Sequence, residues 1–130
     1  MKLEAGMYVR TKDGIIAKVD YIDNDTIFFD KELYRTYGDS IDFLEKDNLE
    51  RIVKARYNII EILEENDYVN GLRVEKNKYG ELYTSYVYYG GDIGKQCEVY
   101  TTWLKELEED MIYSIVTHEQ MEQMAYKVGE

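Results

Sequence analysis

Asn70-Gly71, flanked by Tyr68-Val69 and Leu72-Arg73-Val74, narrows the folds open to this chain more than any other feature of its sequence. A two-residue Asn-Gly loop places left-handed backbone at both positions, which matches the twist of the strands it joins. The pair therefore predicts a tight hairpin. Just upstream, Ile59 to Leu63 is a dense apolar run rich in β-branched residues and reads as a buried strand. Glu64 to Asp67 is the polar connection between the two.

The residues before this segment alternate in the same way. Met7 to Thr11, Ile15 to Ile22 and Thr26 to Phe29 are strand-like, and Lys12-Asp13-Gly14 and Asp23-Asn24-Asp25 separate them. Those separators carry the residues that tight reversals need, so a three-stranded meander is expected. Glu32 to Tyr37 and Ile41 to Leu44 carry apolar residues among charges and leave helix and strand both open. Strand character resumes at Leu49 to Val53, and Lys54 to Asn58 has room for one helical turn.

The second half can be laid over the first. Tyr68-Val69 answers Tyr8-Val9, and Ile112 to Val116 answers Leu49 to Val53, with Leu72 to Val74 and Glu81 to Tyr89 as the strands between. Thr117 and Gln120 form a capping box that starts a short helix to about Met124. Ala125 to Val128 is read as a closing strand that answers Ile59 to Leu63. The expected fold is mainly β (a β-rich α+β chain) built as two tandem five-stranded barrels of the Src-homology-3 kind. They cover residues 1–63 and 64–130. The second carries a helical insertion over about 101–111, where Leu104, Leu107 and Met111 fall at helical spacing. Each half is small for a core of its own, so a shared interface or a homo-oligomer is expected.

Charge and composition limit the partners. Twenty-seven acidic against sixteen basic residues give a formal charge of −11, which opposes direct binding of nucleic acid and favours a protein with a basic surface. No apolar run approaches the length of a membrane span. The first residues lack the apolar core of a signal peptide, and Cys97 is the single cysteine, so a reducing cytoplasmic setting is expected.

Catalytic and metal motifs are not found. His118 and Cys97 have no companion ligands at a usable spacing, so neither a metal nor a cofactor is expected. Asp20, Asp23 and Asp25 lack the glycine and distal glutamate of a calcium loop. Gly90 to Lys95 fails as a phosphate-binding loop, because Tyr89 stands where glycine is needed and Gln96 where serine or threonine is needed. The chain is expected not to be an enzyme.

Tyrosine is the unusual residue, with 14 copies against three phenylalanines, and it is a common interface anchor. Alternation puts Leu82, Thr84, Tyr86 and Tyr88 on one face and Tyr83, Ser85, Val87 and Tyr89 on the other. Tyr83, Tyr86, Tyr88 and Tyr89, with Asp92 and the run Glu106, Glu108, Glu109 and Asp110, form the candidate partner-binding set. A competing reading has the inserted helix cover that face. A ligand-binding alternative groups Tyr86, Tyr88, Lys95 and Arg73.

Residues 58–71, Asn-Ile-Ile-Glu-Ile-Leu-Glu-Glu-Asn-Asp-Tyr-Val-Asn-Gly, and 114–128, Ser-Ile-Val-Thr-His-Glu-Gln-Met-Glu-Gln-Met-Ala-Tyr-Lys-Val, complete the reading. They resemble segments of small acidic proteins carried by phages and prophages of low-GC Gram-positive bacteria. In those proteins the first phrase reads closer to Leu-Ile-Glu-x-Gly-Asp-Tyr-Val-Asn-Gly. Asn66 stands where glycine is usual, a change that asparagine's tolerance of left-handed backbone permits. The resemblance covers about half the chain and carries over no catalytic residue. It implies a phage accessory protein that binds and inhibits a host defence protein, in the manner of an anti-CRISPR, inside the host cell. Alternatives are a small-ligand binder that sequesters a nucleotide-type defence signal, and a structural or adaptor module of the phage.

Overall fold

Tyr8–Thr11 (β1), Ile16–Asp23 (β2) and Thr26–Phe29 (β3) pair antiparallel in the meander that the turn residues predict. In the computed structural model the described residues are 2–30, 35–36, 41–89 and 97–128, with backbone alone at 35–36, 88–89, 97 and 125–128. Two short strands follow, Arg35–Thr36 (β4) and Phe43–Glu45 (β5). A 3₁₀ segment at Lys46–Arg51 then leads into Ile52–Arg56 (β6), which returns to β1. The first sheet has the order β5-β3-β2-β1-β6. Its register shifts twice, between Arg10 and Thr11 where β1 meets β6, and between Val19 and Tyr21, which leaves Asp20 as an extra residue opposite β3.

Tyr68–Val69 (β7) and Leu72–Arg73 (β8) form the predicted hairpin, with Asn70 at φ 53° and Gly71 at φ 82°. Asn66 also takes a left-handed conformation, at φ 75°. Glu75–Lys76 (β9), Leu82–Tyr89 (β10) and Cys97–Trp103 (β11) make a second sheet. Ser114–Val116 (β12) lies between β7 and β4 in a third, of order β4-β12-β7-β8, and pairs parallel with β4. His118–Val128 (α1) ends the described chain. The protein is thus mainly β, with open sheets; none closes into a barrel among the described residues.

One core cluster joins the two halves. Tyr8 and Ile16 of the first sheet pack with Ile59, Ile62, Leu63, Val69, Val74, Leu104, Ile112 and Ile115. The other cluster, including Val9, Val19, Ile27, Phe29, Leu44 and Ile52, lies within the N-terminal half. The expected boundary between residues 63 and 64 runs through the first cluster. β4 also lends the N-terminal half to the sheet of β12.

Several local expectations need correction: Leu49 to Arg51, read as strand, closes the 3₁₀ segment, and Lys54 to Arg56, with room for a helical turn, is strand. Ile59–Glu61 is a 3₁₀ turn, not a strand, with Asn58 Oδ1 accepting from Ile60 N at 3.0 Å. Ile59, Ile62 and Leu63 are still buried, because a turn packed into the core needs the same apolar run as a strand. Residues 125–128 continue α1, since neither glycine nor proline follows the cap before Val128. The helix expected over about 101–111 is strand as far as Trp103, then two 3₁₀ turns at Leu104–Glu106 and Glu109–Met111. There the β-favouring Val99-Tyr100-Thr101-Thr102 completes a ladder with β10, and Leu104 enters the core while Met111 stays exposed.

Candidate functional site

Seven paired positions, from Tyr83 opposite Trp103 to Tyr89 opposite Cys97, hold β10 and β11 together. Near the base, the Tyr83 ring meets Trp103 edge-on at 5.5 Å, and Lys105 reaches Glu81 at 3.1 Å. Hydrogen bonds from Asn77 and Lys105 and the lysine charge hold the Glu81 carboxyl below its usual range. Thr84 is buried, so the hairpin is rooted in the fold at this level.

Further out, the two faces open to solvent. Tyr86 stacks on Tyr100 with centroids 5.1 Å apart and planes 18° apart, and both rings are exposed. Val87 opposite Val99 forms the other face, with Val99 64% exposed. The Tyr100 hydroxyl donates to Glu98 at 2.5 Å, and that bond, with slight burial and the nearby Tyr86, raises the phenol above its usual range. The expected covering helix is a β-strand, so the face with Tyr86 gains Tyr100 as a neighbour. Val99, Tyr100 and Trp103 were missed as site residues because the segment reads equally well as an amphipathic helix. The run Val99 to Thr102 was the available signal.

Glu106, Glu108, Glu109 and Asp110 follow the hairpin directly and are all exposed. Glu109 lies 3.5 Å from Lys18 of β2, so this acidic run touches the first sheet. The side chains of Tyr88 and Tyr89, and all of Asp92, lie outside the described residues, as does Lys95 of the ligand-binding alternative. Arg73, the other cation of that alternative, pairs with Glu75 at 3.3 Å.

His118 belongs to a different assembly, built around buried Arg10. The guanidinium binds Asp67 in a fork, Nη1 to Oδ2 at 2.6 Å and Nη2 to Oδ1 at 2.9 Å. It also donates to Ile62 O at 3.2 Å and to both carboxylate oxygens of Glu119, so all five N–H groups have acceptors. Burial opposes the charged guanidinium, yet these bonds and the Asp67 and Glu119 charges raise its affinity for the proton above that of free arginine. Asp67 accepts in addition from Glu64 N at 2.7 Å and His118 N at 2.9 Å, so it ties β1 to the start of α1.

The His118 ring stands 2.9 Å from Glu64 and 3.3 Å from Glu119. Burial disfavours the imidazolium, but the Glu64 bond and the Glu119 and Asp67 charges outweigh burial and Arg10, so the ring titrates above its ordinary value. Burial pushes Glu64 the other way, yet bonds from His118 and Lys54 and the charges of Arg10 and Lys54 lower it overall. Glu64, His118 and Glu119 offer three ligand atoms within 4.8 Å of one another. Arg10 engages Glu119 and Lys54 holds Glu64 at 3.1 Å, so cations already occupy the carboxylates a metal ion would need. Chemically, the assembly is an ion-pair junction.

Comparison with protein-family models, curated proteins and solved structures finds no match to this chain. Among the described residues no helix is long and apolar enough to cross a membrane.

Proposed function

We propose that this chain is a non-enzymatic binding protein that uses the β10–β11 hairpin and the acidic run after it to occupy a basic surface on a partner protein. The observation that carries the reading is the exposed Tyr86–Tyr100 stack on a hairpin rooted in the core. Stacked tyrosines present a rigid area with polar tips, which suits an interface centre. Glu106, Glu108, Glu109 and Asp110, within a net charge of −11, supply a field that attracts a groove built for nucleic acid. Tyr83, on the opposite face and set against Trp103 near the base, belongs to the same proposed surface, and Tyr88, Tyr89 and Asp92 extend the set along the chain.

The resemblance to phage proteins makes the partner a host defence protein met in the host cytoplasm. The order β5-β3-β2-β1-β6, with a 3₁₀ segment before the returning strand, supports a unit of the Src-homology-3 kind as the frame in the N-terminal half.

The test is affinity capture from a host lysate at low salt, with a salt gradient and with duplex DNA as competitor. A nucleic-acid-handling protein should be retained, released by moderate salt and displaced by DNA. The Tyr86→Ala/Tyr100→Ala variant should lose it. Equal capture by that variant, or no specific partner at low salt, would sink the reading.

A further inference from the structure

A second aromatic surface lies on the first sheet. Tyr21 of β2 is paired with Phe28 of β3, and Phe28 with Phe43 of β5, so three rings stand in one row across three adjacent strands. Tyr21 and Phe28 stack at 4.6 Å and 13°, and Phe43 is tilted by 43° at 6.4 Å from Phe28. The row faces away from the core, because Ile27 and Leu44, the neighbours of Phe28 and Phe43, are buried on the other side. Tyr21 is 50% and Phe43 55% exposed, a high figure for large apolar rings.

These rings border a concavity of about 730 Å³ whose lining also includes Asp20, Asp30 and Asp42. The register shift in β2 falls at Asp20 and puts that carboxylate beside Tyr21 on the rim of the concavity. Bulges of this type re-aim side chains next to binding sites.

A row of rings on an open sheet can serve two ligand classes. It can stack nucleic-acid bases, which also requires basic residues for the phosphates. Alternatively it can hold an organic cation against ring faces, which requires negative charge nearby. Here the described lining holds no lysine or arginine, and Asp20 and Asp42 supply the negative charge, Asp30 having a partner of its own. The whole chain carries −11 as well. Charge decides for the cation. A planar guanidinium fits best, because it stacks on a ring while donating sideways to carboxylates.

We propose that the Tyr21–Phe28–Phe43 concavity is a binding site for an arginine side chain presented by a basic segment of a partner protein. The site is separate from the β10–β11 hairpin, and the proposal stands whether or not the hairpin reading holds.

Calorimetric titration of the full chain with a short capped peptide, two arginines among glycine and serine, tests it. The expected result is binding that weakens roughly tenfold when Tyr21→Leu and Phe43→Leu are combined, since leucine keeps apolar bulk but removes the ring faces. Asp20→Asn with Asp42→Asn should weaken it comparably. The Tyr86→Ala/Tyr100→Ala variant should bind as the parent does, and a citrulline peptide should not bind. Thermal melts of each variant establish that it is folded. The proposal is overturned by no binding to the parent, or by unchanged affinity in the double leucine variant, which would leave only diffuse attraction to the acidic chain. It is also overturned if citrulline serves as well as arginine. Binding of an oligothymidylate through the same residues would convert the surface into a base-stacking platform and equally refute it.

Discussion

Around Arg10 five N–H donors meet acceptors in the protein interior, while along β10–β11 tyrosine and valine side chains stand in solvent. The two regions invert the usual placement of polar and apolar groups. A buried charge is tolerable only if every donor is satisfied, so the junction fixes how β1, the 64–67 connection and α1 meet. Exposed rings on a rooted hairpin do little for the fold and remain available to a second surface. Stability should therefore respond to the first region and recognition to the second.

The largest effect should come from Arg10→Ala. It removes the fork to Asp67 and strands the Asp67 and Glu119 carboxylates, a loss of about 3–5 kcal/mol in urea unfolding. A loss below about 1 kcal/mol would break the contrast by showing the junction to be dispensable. Gly14→Ala should come next. Gly14 sits at φ +87°, and a β-carbon there would collide with Thr117 Oγ1 and come within 2.8 Å of Glu119 Cβ. Strained backbone and overpacking together predict about 2–4 kcal/mol. If steric conflict is the cause, Thr117→Ala combined with Gly14→Ala should cost less than the sum of the single changes.

The hairpin should behave in the opposite way. Tyr86→Ala/Tyr100→Ala removes one cross-strand stack on an exposed face, so unfolding should shift by only about 1 kcal/mol or less. Partner capture should nonetheless fall sharply. A stability loss as large as that of Arg10→Ala would mean that the rings serve the fold, and the division between the regions would collapse.

The sequence disclosed one of these regions better than the other. Turn chemistry was legible throughout: Asn70-Gly71, Asn66 and Gly14 all take the left-handed backbone their residue types suggest. The capping box also appears as read, with Thr117 N donating to Gln120 Oε1 at 3.0 Å and Gln120 N to Thr117 Oγ1 at 3.4 Å. Tyr86 could be picked out because alternation assigns faces along a strand. Its neighbour Tyr100 was marked only by the β-favouring run Val99 to Thr102, because the pairing of β10 with β11 is a non-local choice that competes with the helical spacing of Leu104, Leu107 and Met111. The junction was hidden for a similar reason. Arg10 and Glu119 are 109 residues apart, and no local pattern distinguishes a strand arginine pointing inward from one in solvent. His118 was noticed only as an isolated histidine, whereas Glu64, which its ring meets, and Asp67, which accepts from its backbone N–H, come from a distant segment.

The smallest predicted effect tests whether charge at the edge of the junction matters. Because the folded-state value of His118 is raised from 6.5, its contribution is fully present below about pH 6.5 and disappears as pH rises through the folded value. Glu64 is lowered from 4.5, so its contribution is present above about pH 4.5 and is lost as pH falls through the folded value. Both operate together between these limits, where the imidazolium faces Glu64 and Glu119, with Glu122 3.7 Å from Nδ1. His118→Gln keeps a hydrogen-bonding group but cannot take the charge. Urea unfolding should show a deficit below about 1 kcal/mol that is largest near pH 5.5 and shrinks toward pH 9, as befits a partly exposed pair. A deficit independent of pH would assign the His118 contribution to packing and neutral hydrogen bonding. The charged part of the junction would then end at Arg10, Asp67 and Glu119.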